Sequence, residues 1–203
     1  MAGSIHGTLS VFSQDLVREL RSILAAPSLV FDVREEWAST RENHREKIRE
    51  ALSLALNEDL TDLALPPRPR AHSASISHCR FAGGYAAVSQ PTCLGFDLEL
   101  VARVKPEIIA RMSREEEMKN APSPAHLWTA KEAAFKSLAQ NDEVSLMSEI
   151  TIGAWRRIDG SANLSEIFEF RVSIPQTDRF DGQGVVFTGE SVSIALFLKA
   201  LST

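Results

Sequence analysis

Cysteine is scarce in this 203-residue chain, which has only Cys79 and Cys93. They form no CxxC pair and no Cys/His cluster accompanies them, which argues against a zinc framework. A disulfide between them stays open, but nothing in the pattern points to an oxidising compartment. Long apolar runs are missing as well. None approaches the roughly 20 residues that a membrane-spanning helix needs, so no membrane partner is expected. The opening residues, MAGSIHGTLSVFSQDLVREL, lack a long apolar core preceded by basic residues, so no secretory signal is expected and the expected location is the cytoplasm. Excess positive charge is absent too. A net charge of −5 argues against broad nucleic-acid binding, which needs a basic face. What is present, 44% apolar and 24% charged residues, suits a globular chain long enough to bury its own core.

The elements follow from periodicity and punctuation. Ser13 is placed to cap a first helix that carries Leu16, Val17, Leu20, Ile23 and Leu24 on one face, with Pro27 beyond its end. SLVFDV suits a short strand. A long helix is expected from about Ser39 to Leu60, with Ser39 and Glu42 at capping-box spacing and Ile48, Ala51, Leu52, Ala55 and Leu56 as its buried stripe. The Pro-rich stretch from Leu63 to Ser75 is expected to be an irregular connector. Strands follow in SISHC, GYAAVSQ and CLGFDLEL. Pro106 suits the first turn of a helix through Met112, and Ser113 with Glu116 restarts one. Ser123 can cap the next helix, which carries HLWTAKEAAFKSLAQ. SEITIGAW, IFEFRVSI, GVVFT and SVSIALFLKA then alternate as strands, with IDGSAN and DGQG as turn signals. Helices segregated from antiparallel strands define an α+β class. The small-residue strands GYAAVSQ and SVSIALFLKA hint at two similar halves.

In LGFDLEL, strand period two puts Asp97 and Glu99 on one face and Phe96, Leu98 and Leu100 on the other. Taken alone, this is an edge strand with a wet acidic face. Two acids about 5–7 Å apart repel, and a bound cation would relieve them. Oxygen-only ligands suit Mg²⁺. In WTAKEAAFK, Glu132 and Lys136 are four apart and share a helix face. Alone they would be a surface ion pair worth about 0.3–0.5 kcal/mol.

Taken together the stretches say more. GFDLE followed downstream by WTAKEAAFK resembles the signature of the 4'-phosphopantetheinyl transferases, G-(I/V)-D-x-E and then (F/W)-(S/T/C)-x-K-E-(A/S)-x-x-K. Gly95, Asp97, Glu99, Trp128, Thr129, Lys131, Glu132, Ala133 and Lys136 match, and Phe96 replaces Ile or Val. MSREE stands where the family has F-S-x-x-E, with Met112 for Phe. ASISHC keeps Ile76, Ser77 and His78 of an upstream F-N-I-S-H-S, with Cys79 for the last Ser. PRP, Pro67 to Pro69, stands where a G-(K/R)-P turn would be, without the Gly. The detailed likeness covers Arg68 to Lys136 and is to the larger, Sfp-like, two-half monomeric type.

The resemblance implies a pseudo-dimer fold, one unit over 1–203 with pseudo-halves of roughly 1–92 and 93–203, each a small antiparallel sheet packed with helices. It implies transfer of phosphopantetheine from coenzyme A to a serine of an apo acyl or peptidyl carrier protein, releasing adenosine 3',5'-bisphosphate. Asp97, Glu99 and Glu132 would hold Mg²⁺ or Mn²⁺. Glu132 would also take the serine proton, and Lys136 would bind a phosphate oxygen, with Lys131 a weaker candidate. His78, Ser77, Arg68 and Arg45 would bind coenzyme A, though Arg49 or Lys47 would serve as well as Arg45. Arg103, Lys105, Arg111 and Met112 are candidates for carrier-protein docking. Two alternatives stay open: a non-catalytic module that binds coenzyme A or a carrier protein on the same fold, and another Mg²⁺-dependent phosphoryl-transfer enzyme.

Overall fold

The structure, a computed structural model, describes residues 14–60, 71–141, 143–159, 166–174, 180–189 and 191–200. The class is α+β, with two antiparallel sheets and helices on their faces. The first sheet has the order β1-β3-β2, from Val30–Arg34, His72–His78 and Gly83–Ser89. The second has the order β4-β8-β7-β6-β5, from Thr92–Leu100, Thr151–Arg157, Ile167–Ser173, Phe180–Thr188 and Val192–Ala200. The sheets therefore divide the chain between Ser89 and Thr92.

Burial follows the strand alternation. Phe96, Leu98, Ile194 and Leu196 join Phe31, Ala86 and Val88 in a core shared by both sheets, closed by Leu16 and Leu20 of α1, Gln14–Ile23. The other face of the first sheet, with Tyr85 and Ala87, packs on Ile48 and Leu52 of α2, His44–Leu56. The other face of the second, with Ala195 and Phe197, packs on Leu127, Ala130 and Ala134 of α5, Pro124–Leu138. Ser123 caps α5 by accepting the His126 N–H, as its position before Pro124 suggested.

Several boundaries differ from the sequence expectation. α2 starts at His44, not Ser39, because Asn43 turns into the left-handed region at φ 52° and the Ser39 N–H is bonded to the Cys79 carbonyl. It ends at Leu56, where Asn57 is also left-handed. Within the expected stripe Ala55 is exposed. α3, Pro106–Ile109, stops short of Met112. α4, Glu115–Asn120, takes Arg114 as its cap, with the Arg114 N–H donating to Glu117 Oε2 at 2.9 Å, so the box lies one residue beyond Ser113 and Glu116. The expected connector gives way to β2 from His72 on, because the alternating serines of HSASISH have an edge to bind. Ser13 and the PRP turn lie outside the described residues. Cys79 and Cys93 are both buried. Among the described residues no helix is long and apolar enough to cross a membrane.

β2 and β4 are both edge strands, and side chains rather than a backbone ladder join them. The Leu94 N–H donates to Ser73 Oγ at 2.9 Å and the Phe96 N–H to Ser75 Oγ at 3.1 Å. Ser75 Oγ returns a 3.3 Å bond to the Phe96 carbonyl. Strand period two brings Ser73, Ser75 and Ser77 to one face, and all three are buried. This seam covers an edge that would otherwise leave peptide groups open.

Candidate functional site

The site lies where the serine seam, β4 and α5 meet. Gly95 makes the helix–strand approach close: a Cβ there would lie 1.8 Å from the Ala133 carbonyl oxygen. The next residue on that face of β4 is Asp97, only 6% exposed. The face expected to be wet is thus covered by α5, and a carboxylate there needs partners.

Those partners come from two other elements. Lys136 Nζ donates to Asp97 Oδ1 at 2.7 Å, to the Phe96 carbonyl at 3.1 Å and to Ser77 Oγ at 3.2 Å. Ser77 Oγ in turn donates to Asp97 Oδ1 at 2.8 Å. Lys136 therefore pairs across the helix–strand boundary, whereas the sequence spacing alone suggested a surface pair with Glu132. Glu132 lies one turn earlier on α5. Burial foremost, then Asp97 and also Glu99, push its carboxyl above the ordinary range, while Lys136 pulls the other way. The three acids thus share one electrostatic neighbourhood. Glu99 Oε1 accepts the Leu100 N–H at 2.8 Å and lies 3.7 Å from the exposed Arg103 guanidinium.

His78 follows Ser77 on β2 and so faces the other way, toward α2. Its ring centroid is 4.5 Å from that of His44. Its pKa falls to about 4, first through burial and then through His44, Arg45 and Lys136, with Asp97 opposing. Arg45 is therefore close enough to act on His78. Arg68 lies outside the described residues.

Lys131, the weaker phosphate candidate, turns away from the site and is 1% exposed. Its ammonium bonds the Met112 and Ile150 carbonyls and lies 2.9 Å from Glu117 Oε1. Glu117 also accepts the Ile152 N–H at 2.8 Å. The pair ties α4, α5 and β5 together. All four docking candidates, Arg103, Lys105, Arg111 and Met112, are exposed.

Two contributions escaped sequence reasoning. The serine seam was legible in the Ser-x-Ser-x-Ser spacing of HSASISH, but strand edges cannot be paired from one sequence. His44, next to Arg45, carries no signal until its stacking partner is known.

A metal can be weighed against this geometry. Among the described residues, no group of three or more His, Cys, Asp or Glu side chains is assembled to hold one. The donors are nevertheless of the right kind. They are all oxygens, neither bond to Asp97 uses Oδ2, and the raised Glu132 carboxyl marks negative charge that a hard divalent cation would offset.

No family model matches the chain, and no curated protein matches it. Fold and site define a class: an α+β protein with a buried acid–lysine–serine network between a sheet edge and a helix, flanked by a histidine pair.

Proposed function

We propose that this protein is a 4'-phosphopantetheinyl transferase, moving phosphopantetheine from coenzyme A to the serine of an apo acyl or peptidyl carrier protein. One observation carries the reading: Ser77, Asp97 and Lys136 come from three separate motifs, yet they share one hydrogen-bonded network. Glu132 and His78 couple electrostatically to its Asp97 and Lys136, and Glu99 acts on Glu132 as Arg45 acts on His78. The proposal includes the two-half monomeric architecture, and the division of the sheets between Ser89 and Thr92 supports halves of roughly 1–92 and 93–203.

The chemistry follows from the side chains. The carrier serine oxygen attacks the pantetheine-side phosphorus of the pyrophosphate. The P–O bond to the nucleotide breaks, and adenosine 3',5'-bisphosphate leaves. Glu132 takes the serine proton, and its raised basicity suits that role. Lys136 and His78 hold phosphate oxygens, and Arg45 holds a nucleotide phosphate. A cleft of about 840 Å³ beside α2 is lined by Asp32, Val33, Arg34, Glu35, Glu36, Arg41 and Lys47. Asp97, Glu99 and Glu132 would hold Mg²⁺ or Mn²⁺, which when bound neutralises phosphate charge.

The test is the intact mass of an apo carrier protein incubated with this protein, coenzyme A and Mg²⁺, with and without chelator. A gain of one phosphopantetheine that chelator abolishes is expected. Coenzyme A binding without any mass gain across several carriers would reject transfer and leave a binding module.

A further inference from the structure

His44 stands on the first turn of α2, directly before Arg45, and none of the sequence motifs assigns it a role. Its ring packs against His78 with the planes tilted by 46°. Its Nδ1 lies 3.1 Å from the Arg41 carbonyl oxygen. A carbonyl only accepts, so Nδ1 carries the proton and the neutral ring keeps its lone pair on Nε2. That Nε2 is buried and, among the described residues, has no hydrogen-bond partner. A buried polar atom left unpaired costs free energy, so the position calls for a ligand that restores a bond.

The surroundings say which kind. His78 faces the ring from β2, with Arg45 on α2 and Lys136 on α5 also acting there. Asp97 on β4 is the acid that opposes them. Positive charge crowds this side of the site, which keeps the His78 imidazole neutral until an anion arrives. Once protonated, His44 can donate from Nε2 without losing its Arg41 bond. A phosphate offers several strong acceptor oxygens to such a cluster.

We propose that His44 is a phosphate-binding residue, its Nε2 donating to a phosphate oxygen shared with His78 and Arg45. The proposal rests on the reading above only in taking that phosphate to be part of coenzyme A. Binding draws a proton onto the imidazole pair. Affinity therefore rises as pH falls from 8 toward 6.5, by at most about tenfold per pH unit for each proton taken up.

The experiment uses the full chain with ¹⁵N-labelled histidine and inorganic pyrophosphate as the probe, read by ring ¹⁵N spectra between pH 6 and 8. The His44 and His78 ring resonances should move together and titrate at higher pH when pyrophosphate is bound. His44→Gln should weaken pyrophosphate binding by roughly 5- to 30-fold, the factor for one lost hydrogen bond of about 1–2 kcal/mol. His44→Asn is the second variant should the first fail to fold. A His44 resonance unmoved at high pyrophosphate, or a folded His44→Gln that binds like wild type, overturns the proposal. Pyrophosphate binding through His44 with no transfer to any carrier keeps this assignment and rejects the transferase. Transfer with an unmoved His44 does the reverse.

Discussion

Lys136 Nζ sits 2.7 Å from Asp97 Oδ1, joining a helix residue to an edge-strand residue whose side chain is 8% exposed. Lys136→Met would leave that carboxylate buried without its cation. A loss of roughly 1–3 kcal/mol is expected, because the Lys136 end of the pair is partly solvated. The double variant with Asp97→Asn should lose less than the sum of the single changes, since each single change strands the other group. Urea midpoints of the four proteins measure this. Additive losses would mean that the pair contributes nothing of its own.

Glu132 offers a test with opposite signs for stability and turnover. Its folded pKa is raised, so folding favours the protonated carboxyl and the ionised form opposes the fold. That cost is absent below the ordinary glutamate pKa and is in full force once pH exceeds the folded value. Glu132→Gln should therefore raise Tm at neutral pH, with the gain shrinking toward zero as pH falls to about 4. In the same protein transfer should fall by about 10² or more, the scale of a lost general base. A Tm that falls at neutral pH would contradict the burial argument, and retained transfer would remove Glu132 from the chemistry.

The serine seam makes a prediction independent of function. Ser75→Ala leaves the Phe96 N–H without its acceptor in a buried position. A cost of about 1–3 kcal/mol is expected. Ser75→Thr keeps the oxygen and should recover part of the loss. Amide exchange at Phe96 should quicken in Ser75→Ala more than at central strand positions such as Leu196. Unchanged protection at Phe96 would mean that the seam does not hold the edge.

Gly95→Ala tests how the site is assembled. The added Cβ would stand 1.8 Å from the Ala133 carbonyl oxygen, a backbone atom that no rotamer change can move. α5 must then lift off β4, carrying Glu132 and Lys136 away from Asp97. A destabilisation of about 3 kcal/mol or more is expected. Any protein that remains folded should lose the raised Glu132 titration. A variant with wild-type Tm would show that the contact is looser than described.

These cases also show what a single sequence discloses. Strand period two put Asp97 and Glu99 on one face of β4 and helix spacing put Glu132 and Lys136 on one face of α5, because both depend only on local geometry. That Ser77 would meet Asp97 depends on two sheet edges finding each other, and edge pairing leaves no local mark. The α2 start was misplaced because Ser39 and Glu42 have the spacing of a cap, while the Cys79 carbonyl, distant in sequence, claims the Ser39 N–H. Lys131 reads as one more helix cation. Its burial against Glu117 is settled only by the packing of α4 and β5 on α5.

His78 closes the set through acid stability without any ligand. Its folded pKa is about 4 against an ordinary 6.5, lowered by burial and by His44, Arg45 and Lys136. Between those values the unfolded chain binds more protons than the folded one, so stability falls as pH drops through 6.5 and the loss is complete near 4. His78→Gln removes this one contribution and should flatten the stability profile across that window. At pH 7.5 and above the pH-linked difference vanishes, and only the packing change of the substitution remains. The decisive quantity is therefore the difference between wild type and variant at pH 5 relative to that at pH 7.5. A difference that stays constant over this range would mean that His78 titrates normally, and that the cations around it are better solvated than their positions imply.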